Sequence, residues 1–431
     1  MRLKIGIATC CLFVAGLAQA QTSVLRCGHL IDPVAGRDVG ASSVLIENGR
    51  ISRVESGLSM QHDGATEIDL GQRTCLPGFT DMHVHLSGEQ SRDSYSEGFR
   101  LNPADYALRS ALYAERTLLA GFTSVRDLGS ADGVAISLRN AINGGVAKGP
   151  RIYAAGKSIA TTGGHADPRN GINQELLDAL GYPTPEDGVV DSVDEARKAV
   201  RARYKEGADL IKITATGGVL SYAKSADNPQ FTVEEIRSIV ATAKDYGFHV
   251  AAHAHGAEGM KRAVLGGVTT IEHGTYINDE VIALMKEHGT YLVPTLLAGA
   301  YVSEKAQIEG WFPAIIRPKA IKVGAQIQAA FAHAQKSGVR YAFGTDSGVS
   351  AHGDNAREFE LLVQAGVTPI DAIRAATTTP AKILGVEADS GRIAAGQYAD
   401  IVAVAGDPLA DIAVLRKIAF VMKGGLVYKQ P

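Results

Sequence analysis

The chain has 431 residues, 45% of them hydrophobic and 21% charged, with a formal net charge of −3. That length suffices for one large domain and a smaller one. The charge balance, with no basic run interleaved with aromatics, excludes a surface built for nucleic acid.

Residues 1–20 read as a signal peptide. Arg2 and Lys4 precede an apolar run at 5–17, and Ala18 and Ala20 fit the A-x-A cleavage pattern. The run is too short for a comfortable membrane span, and no cysteine follows it as a lipoprotein would require. The expected location is therefore exported, either periplasmic or secreted, with no membrane span in the mature chain. Cys27 and Cys75 remain after cleavage. Export makes a disulfide available to them, but spacing alone does not pair them.

Residues 21–75 read as short strands, with a hairpin turning at Asn48-Gly49. Residues 386–431 end in a second hairpin at 420–428. The two ends are expected to pair into one small domain, a β-sandwich built from both termini. Between them, at 76–385, strand and helix signals alternate. Strand segments are expected at 82–86, 124–128, 151–155, 210–214, 249–253, 270–274, 291–295 and 341–345. Helix starts are marked by Ser192 with Glu195, by Thr232 with Glu235, and by Thr368-Pro369. Eight such units predict an α/β fold of the (β/α)8, TIM-like kind, with its active site at the C-terminal ends of the strands.

The first of those strands carries LPGFTDMHVH at 76–85, which places His83 and His85 on one strand face. Two imidazoles on a rigid strand are half a metal site. A histidine pair alone is equally a solvated strand face, so the rest of the chain decides. Lys212 lies among aliphatics in GADLIKIT at 207–214, and alternation turns it inward with Leu210 and Thr214. A buried ammonium needs a partner or a changed charge. Pairing with Asp346 is one solution. The other is uptake of carbon dioxide by the neutral amine, giving an anionic carbamate able to bridge two metals. VAAHAHG at 250–256 offers His253 as a ligand and His255 as its neighbour, and the opposite assignment stays open. His273 ends the next strand in TIEHG at 270–274, with Glu272 expected to point the other way. Asp346 follows the last strand in YAFGTDS at 341–347, where a carboxylate can hold a metal, serve as general base, or cap a helix. His165, in TTGGH at 161–165, and Tyr222, in GGVLSY at 217–222, sit in loops suited to substrate contact, or simply to solvent and packing.

Taken with GFTSVRD at 121–127 and ADIV at 399–402, these motifs resemble the amidohydrolase superfamily, and within it the imidazolonepropionase-like bacterial members. The resemblance spans nearly all of the chain after residue 20. Lys212 matches the position of a carboxylated lysine in the branch of carboxypeptidases and Xaa-Pro dipeptidases (prolidases), which deaminase-like members lack. The TTGGH and GGVLSY loops are similar to those of exported members that degrade ochratoxin A. The resemblance implies two divalent ions, zinc foremost. His83, His85 and Asp346 would hold one ion and His253 and His273 the other, with N6-carboxylated Lys212 bridging. It further implies that His165 and Tyr222 contact the substrate carbonyl and carboxylate, and that the chain forms large homo-oligomers, often octamers. The implied reaction is hydrolysis of an amide bond beside a C-terminal residue with a free carboxylate. Dipeptides and N-acyl amino acids fit, as does ochratoxin A, split into phenylalanine and ochratoxin alpha. Rivals are cyclic-amide or ester hydrolysis at the same centre and, outside enzymes, a non-catalytic periplasmic metal-binding protein. The complete set of six ligands argues against the last.

Overall fold

The computed structural model describes residues 22–431, so the expected signal peptide lies outside the described residues. Both ends of the described chain enter one eight-stranded mixed sheet. Its order is Leu426–Lys429, Ile418–Lys423, Ile401–Val404, Thr66–Pro77, Ser23–Asp32, Ser42–Glu47 and Arg50–Ser56, with the short Arg37–Asp38 strand beside Ser23–Asp32. Where a two-sheet sandwich was expected, the pairing traces a single continuous sheet. The two expected hairpins are present. Asn48 and Gly49 have φ of 55° and 76°, and Gly424 and Gly425 have 55° and 78°. These paired left-handed residues match the twist of the strands they join. Cys27 and Cys75 form a disulfide across the parallel pair Ser23–Asp32 and Thr66–Pro77, inside the sheet's own apolar core.

The middle of the chain is TIM-barrel-like α/β. Two parallel sheets carry it, one of Phe79–Val84, Phe122–Asp127 and Arg151–Ala154, the other of Ile211–Thr214, Val250–Ala254, Thr270–His273 and Tyr291–Val293. Each strand lies within a few residues of its expected place. The eighth segment, expected at 341–345, forms no ladder. It contributes bridges instead, from Tyr341 to Leu292 and from Ser347 to Val84. A further bridge, Ile159 to Ile213, ties the segment that follows Arg151–Ala154 to the edge strand Ile211–Thr214 of the other sheet. Gly344 packs within 3.1 Å of His83, measured to the Cβ it lacks. Backbone hydrogen bonds still tie the segment to both neighbours, from Ala342 N to the Leu292 carbonyl at 2.9 Å, from Met82 N to the Phe343 carbonyl at 2.9 Å and from Asp346 N to the His83 carbonyl at 2.7 Å.

The helices start where their caps predicted. Thr232 forms a full capping box with Glu235, Ser192 accepts from the Glu195 amide, and Thr368 accepts from Asp371 ahead of a helix with proline in its first turn. Among the described residues no helix is long and apolar enough to cross a membrane.

Candidate metal centre and active site

Strand ends converge on one cavity of about 220 Å³, lined by His83, His85, His165, Lys212, His253, His255, His273, Thr295 and Asp346, with an apolar wall opposite. The backbone is strained there. Five described non-glycine residues have positive φ, and three of them, His273 (76°), Thr295 (51°) and Asp346 (58°), line this cavity. Such conformations cost about 1–3 kcal/mol each and persist where the surroundings over-determine them, commonly at functional sites.

His83, His85 and Asp346 form one cluster of potential ligands, with ligand atoms within 4.8 Å of one another. Hydrogen bonds fix the ring tautomers. His83 Nδ1 donates to Glu272 Oε2 at 2.9 Å, and His85 Nδ1 donates to the Gly129 carbonyl at 2.9 Å. Each Nε2 is thereby left as a lone pair. Both lone pairs face Asp346 Oδ1, at 3.4 Å and 3.2 Å. That oxygen is buried and has no hydrogen-bond donor. Two imidazole Nε2 atoms and a carboxylate oxygen converging on one point are a donor set that fits a cation, and although burial opposes it, Asp346 draws His85 above the usual histidine range. The donor set therefore passes the test for a metal.

His253, His255 and His273 form the second cluster. His253 Nε2 donates to the Gly217 carbonyl at 2.9 Å, so its Nδ1 is the free ligand atom. His255 Nδ1 and His273 Nδ1 bond the hydroxyls of Thr275 and Thr295, each at 2.7 Å. The choice between His253 and His255 therefore becomes a shared placement: both stand in the same trio. Burial pushes His83, His253 and His273 well below the usual histidine range and His255 down to about 4, so all four rings are neutral and fit to ligate.

The two clusters adjoin, with the His83 and His273 rings 5.1 Å apart. Lys212 enters between them as its strand alternation predicted, with Nζ 3.5 Å from His83 Nε2. Its described hydrogen bond is to that imidazole and not to Asp346. Burial lowers the ammonium to about 8, which makes the free amine accessible near neutral pH.

Behind His83 lies a network that sequence reading missed. Glu272 does not point away. It is fully buried and accepts from Arg126 Nη2 at 2.9 Å, from His83, and from the Thr270 hydroxyl. Arg126, also fully buried, donates through Nε to the Met82 carbonyl at 2.7 Å. The signal was in the sequence: a charged pair inside two strands, at 126 and 272, has nowhere to go but the interior. Glu358 was missed as well. Thr295 occupies the cap position of helix Leu296–Ala306, but its hydroxyl is taken by His273. Glu358 supplies the cap in its place, accepting from the amides of Leu296 (2.9 Å) and Leu297 (2.6 Å).

His165 lies in the cavity as expected. Its ring stacks on His253 at 4.3 Å, its Nδ1 is unpaired, and burial holds it down to about 3. The glycines beside it are required by contact: a Cβ on Gly218 would fall 2.1 Å from the His165 ring. Tyr222 is placed differently. It lies outside the residues lining the cavity, and its ring packs on Tyr95 at 4.6 Å.

A TIM-barrel-like scaffold with two adjoining histidine-rich clusters at its strand ends defines a metal-dependent hydrolase. Comparison with known proteins gives the family. The amidohydrolase family model matches residues 74–427, and the chain belongs to that family. It is 31% identical over 443 residues to the ochratoxinase of Aspergillus niger, covering 97% of this chain and 89% of that one. The crystal structure of A. niger ochratoxinase matches with a TM-score of 0.83. A Xaa-Pro dipeptidase with methionine bound in its active site matches at 48% identity and a TM-score of 0.92, covering 95% of this chain and all of that one. A prolidase complexed with N-methylphosphonate-L-proline matches at 32% identity and a TM-score of 0.85, with the same coverage. The protein is accordingly a hydrolase acting on amide bonds.

Proposed function

We propose that the protein is an exported, two-metal hydrolase that cleaves the amide bond of N-acyl amino acids or dipeptides beside a C-terminal residue with a free carboxylate. The observation that carries this reading is the pair of adjoining clusters, with the convergence of His83, His85 and Asp346 at its centre. His83, His85 and Asp346 would hold one ion, and His253 and His273 the other. His255 is close enough to replace either of the latter. The neutral Lys212 amine would add carbon dioxide, releasing a proton and leaving an N6-carbamate that bridges both sites. Zinc suits a set of neutral imidazoles with two oxygen anions. When bound, the ions supply Lewis-acid polarisation of the carbonyl and acidify water.

The chain's own groups do the rest. Asp346 accepts the proton of the attacking water on its carboxylate and delivers it to the leaving nitrogen. His165, neutral and with an unpaired buried nitrogen, is available to the substrate carbonyl. The apolar wall of Val219, Leu220, Val302, Val323 and Ile327 receives an apolar side chain or acyl group. Similarity to ochratoxinase and to Xaa-Pro dipeptidases supports this substrate class, and ochratoxin A, an aromatic acyl group on phenylalanine, belongs to it. Export is supported by the Cys27–Cys75 disulfide, a bond that persists in oxidising compartments.

The test is chromatography of ochratoxin A, N-acyl amino acids and Xaa-Pro dipeptides incubated with metal-loaded protein, beside metal analysis. Release of the C-terminal residue, with two equivalents of metal per chain, is expected. Binding of metal without turnover of any of these substrates would refute the reading.

A further inference from the structure

A carboxylate-bearing substrate needs a counter-charge, and none of the residues lining the cavity is cationic except Lys212. Lys319, near the start of helix Arg317–Lys336, is a candidate, since its charge acts on the cavity histidines His165 and His255. Val323 and Ile327, one and two turns further along that helix, line the cavity. Lys319 is 9% exposed, and its ammonium donates to three backbone carbonyls: Gly218 at 3.0 Å, Ser221 at 2.7 Å and Ala223 at 2.9 Å. All three donors are used, and among the described residues no carboxylate pairs with it. Burial alone displaces it, lowering the ammonium to about 8. An ammonium buried without a counter-ion is costly and calls for an explanation.

The loop it grips supplies one. In a planar trans peptide unit the N–H points opposite to the C=O. The carbonyls of Gly218 and Ser221 turn to Lys319, so the amides of Val219 and Tyr222 turn away from it. Neither amide has a hydrogen-bond partner among the described residues. Val219 and Leu220 line the cavity, so the loop stands between the ammonium and the substrate space. Val219 lines the cavity itself, so its free amide is a donor available to an anion there, and a fixed charge behind that peptide strengthens it.

We propose that Lys319 is the positioning residue for the substrate carboxylate: by gripping the 218–223 carbonyls it holds the Val219 amide at the cavity wall and sets a positive charge behind it. The proposal rests on the carboxylate-bearing substrate class above and assigns its recognition to a residue that does not touch the metals.

The experiment compares Lys319→Met with wild type on an N-acyl phenylalanine and on the same compound with its carboxylate amidated. In wild type the free acid should be the better substrate. Equal rates there would refute the carboxylate reading itself and not the role of Lys319. In Lys319→Met, KM for the free acid should rise about tenfold or more, the loss of a charge-assisted interaction. Values of kcat/KM for the amide should stay within about twofold, with bound metal unchanged. Equal losses on acid and amide would show that Lys319 only shapes the loop, and would overturn the proposal. Lys319→Arg is the second variant, since it keeps the charge at that place. It should retain the acid-over-amide preference, and a preference as low as that of the methionine variant would also overturn the proposal.

Discussion

The buried link between Arg126, Glu272 and His83 makes a quantitative prediction. Both charged groups are fully buried, and among the described residues the carboxylate is the only acid paired with Arg126. Glu272→Gln keeps the side-chain volume and removes the charge, so no cavity is created. Taking away one partner of a buried ion pair costs about 3–5 kcal/mol, because the other charge is left uncompensated. The same carboxylate accepts from His83 Nδ1 and so fixes which nitrogen of that ring faces Asp346. Losing such a partner typically lowers metal affinity about 10–100-fold. Urea denaturation of the metal-free protein reads the first effect, and chelator competition reads the second. The double variant Arg126→Met/Glu272→Leu separates them. Replacing both charges by apolar groups should recover much of the stability, but none of the metal affinity, because His83 still lacks its acceptor. A Glu272→Gln protein with wild-type stability and wild-type metal affinity would refute the reasoning.

The other predictions are briefer. Lys212→Ala should lose metal and activity together, and short carboxylic acids should restore part of both; full metal content and activity in this variant would rule out a bridging carbamate. Asp346→Asn should lower kcat by about 10²–10⁴-fold through loss of the base, as steady-state kinetics at saturating substrate will show. Burial pushes the Glu358 carboxyl from 4.5 up to about 8, so between those pH values the folded protein holds a proton that the unfolded chain has released. The stability of wild type relative to Glu358→Gln should therefore fall as pH rises from 4.5 to 8, and a difference independent of pH in chemical denaturation would contradict this. Replacing Cys27 and Cys75 by alanine should cost about 2–5 kcal/mol in the same assay.

How much of this was legible in the sequence depended on whether a residue's partners are local. Strands and caps follow short-range rules, so the alternation around Lys212 and the capping box at Thr232 read correctly. The gathering of the candidate ligands in one place was legible because each histidine or aspartate stands at a strand end, and strand ends meet in this architecture. Partnerships across the barrel were not. Glu272 was assigned to the outer face because alternation was counted from His273, yet His273 has a left-handed backbone (φ 76°), which breaks the alternation at that residue. Lys319 and Glu358 lie on helices whose pattern says only that one face is buried. What they bond, three loop carbonyls and two helix amides, is fixed by tertiary packing. Tyr222 was placed by analogy of its loop, and the structure stacks it on Tyr95 at the rim.

The sheet that gathers both ends of the chain has a consequence for how the protein reaches its native state. Ile401–Val404 pairs with Thr74 to Pro77, more than three hundred residues earlier, and that early strand leads through Gly78 directly into the one bearing His83. The first strand of the catalytic half is thus moored to a sheet that stays unfinished until the last segments of the chain emerge. A ribosome-bound chain has helices and parallel strands available to fold, but the strand that leads into its metal-motif strand still has an open flank. Competence to take up metal is therefore expected late, after synthesis has ended, when the two distant segments finally zip together.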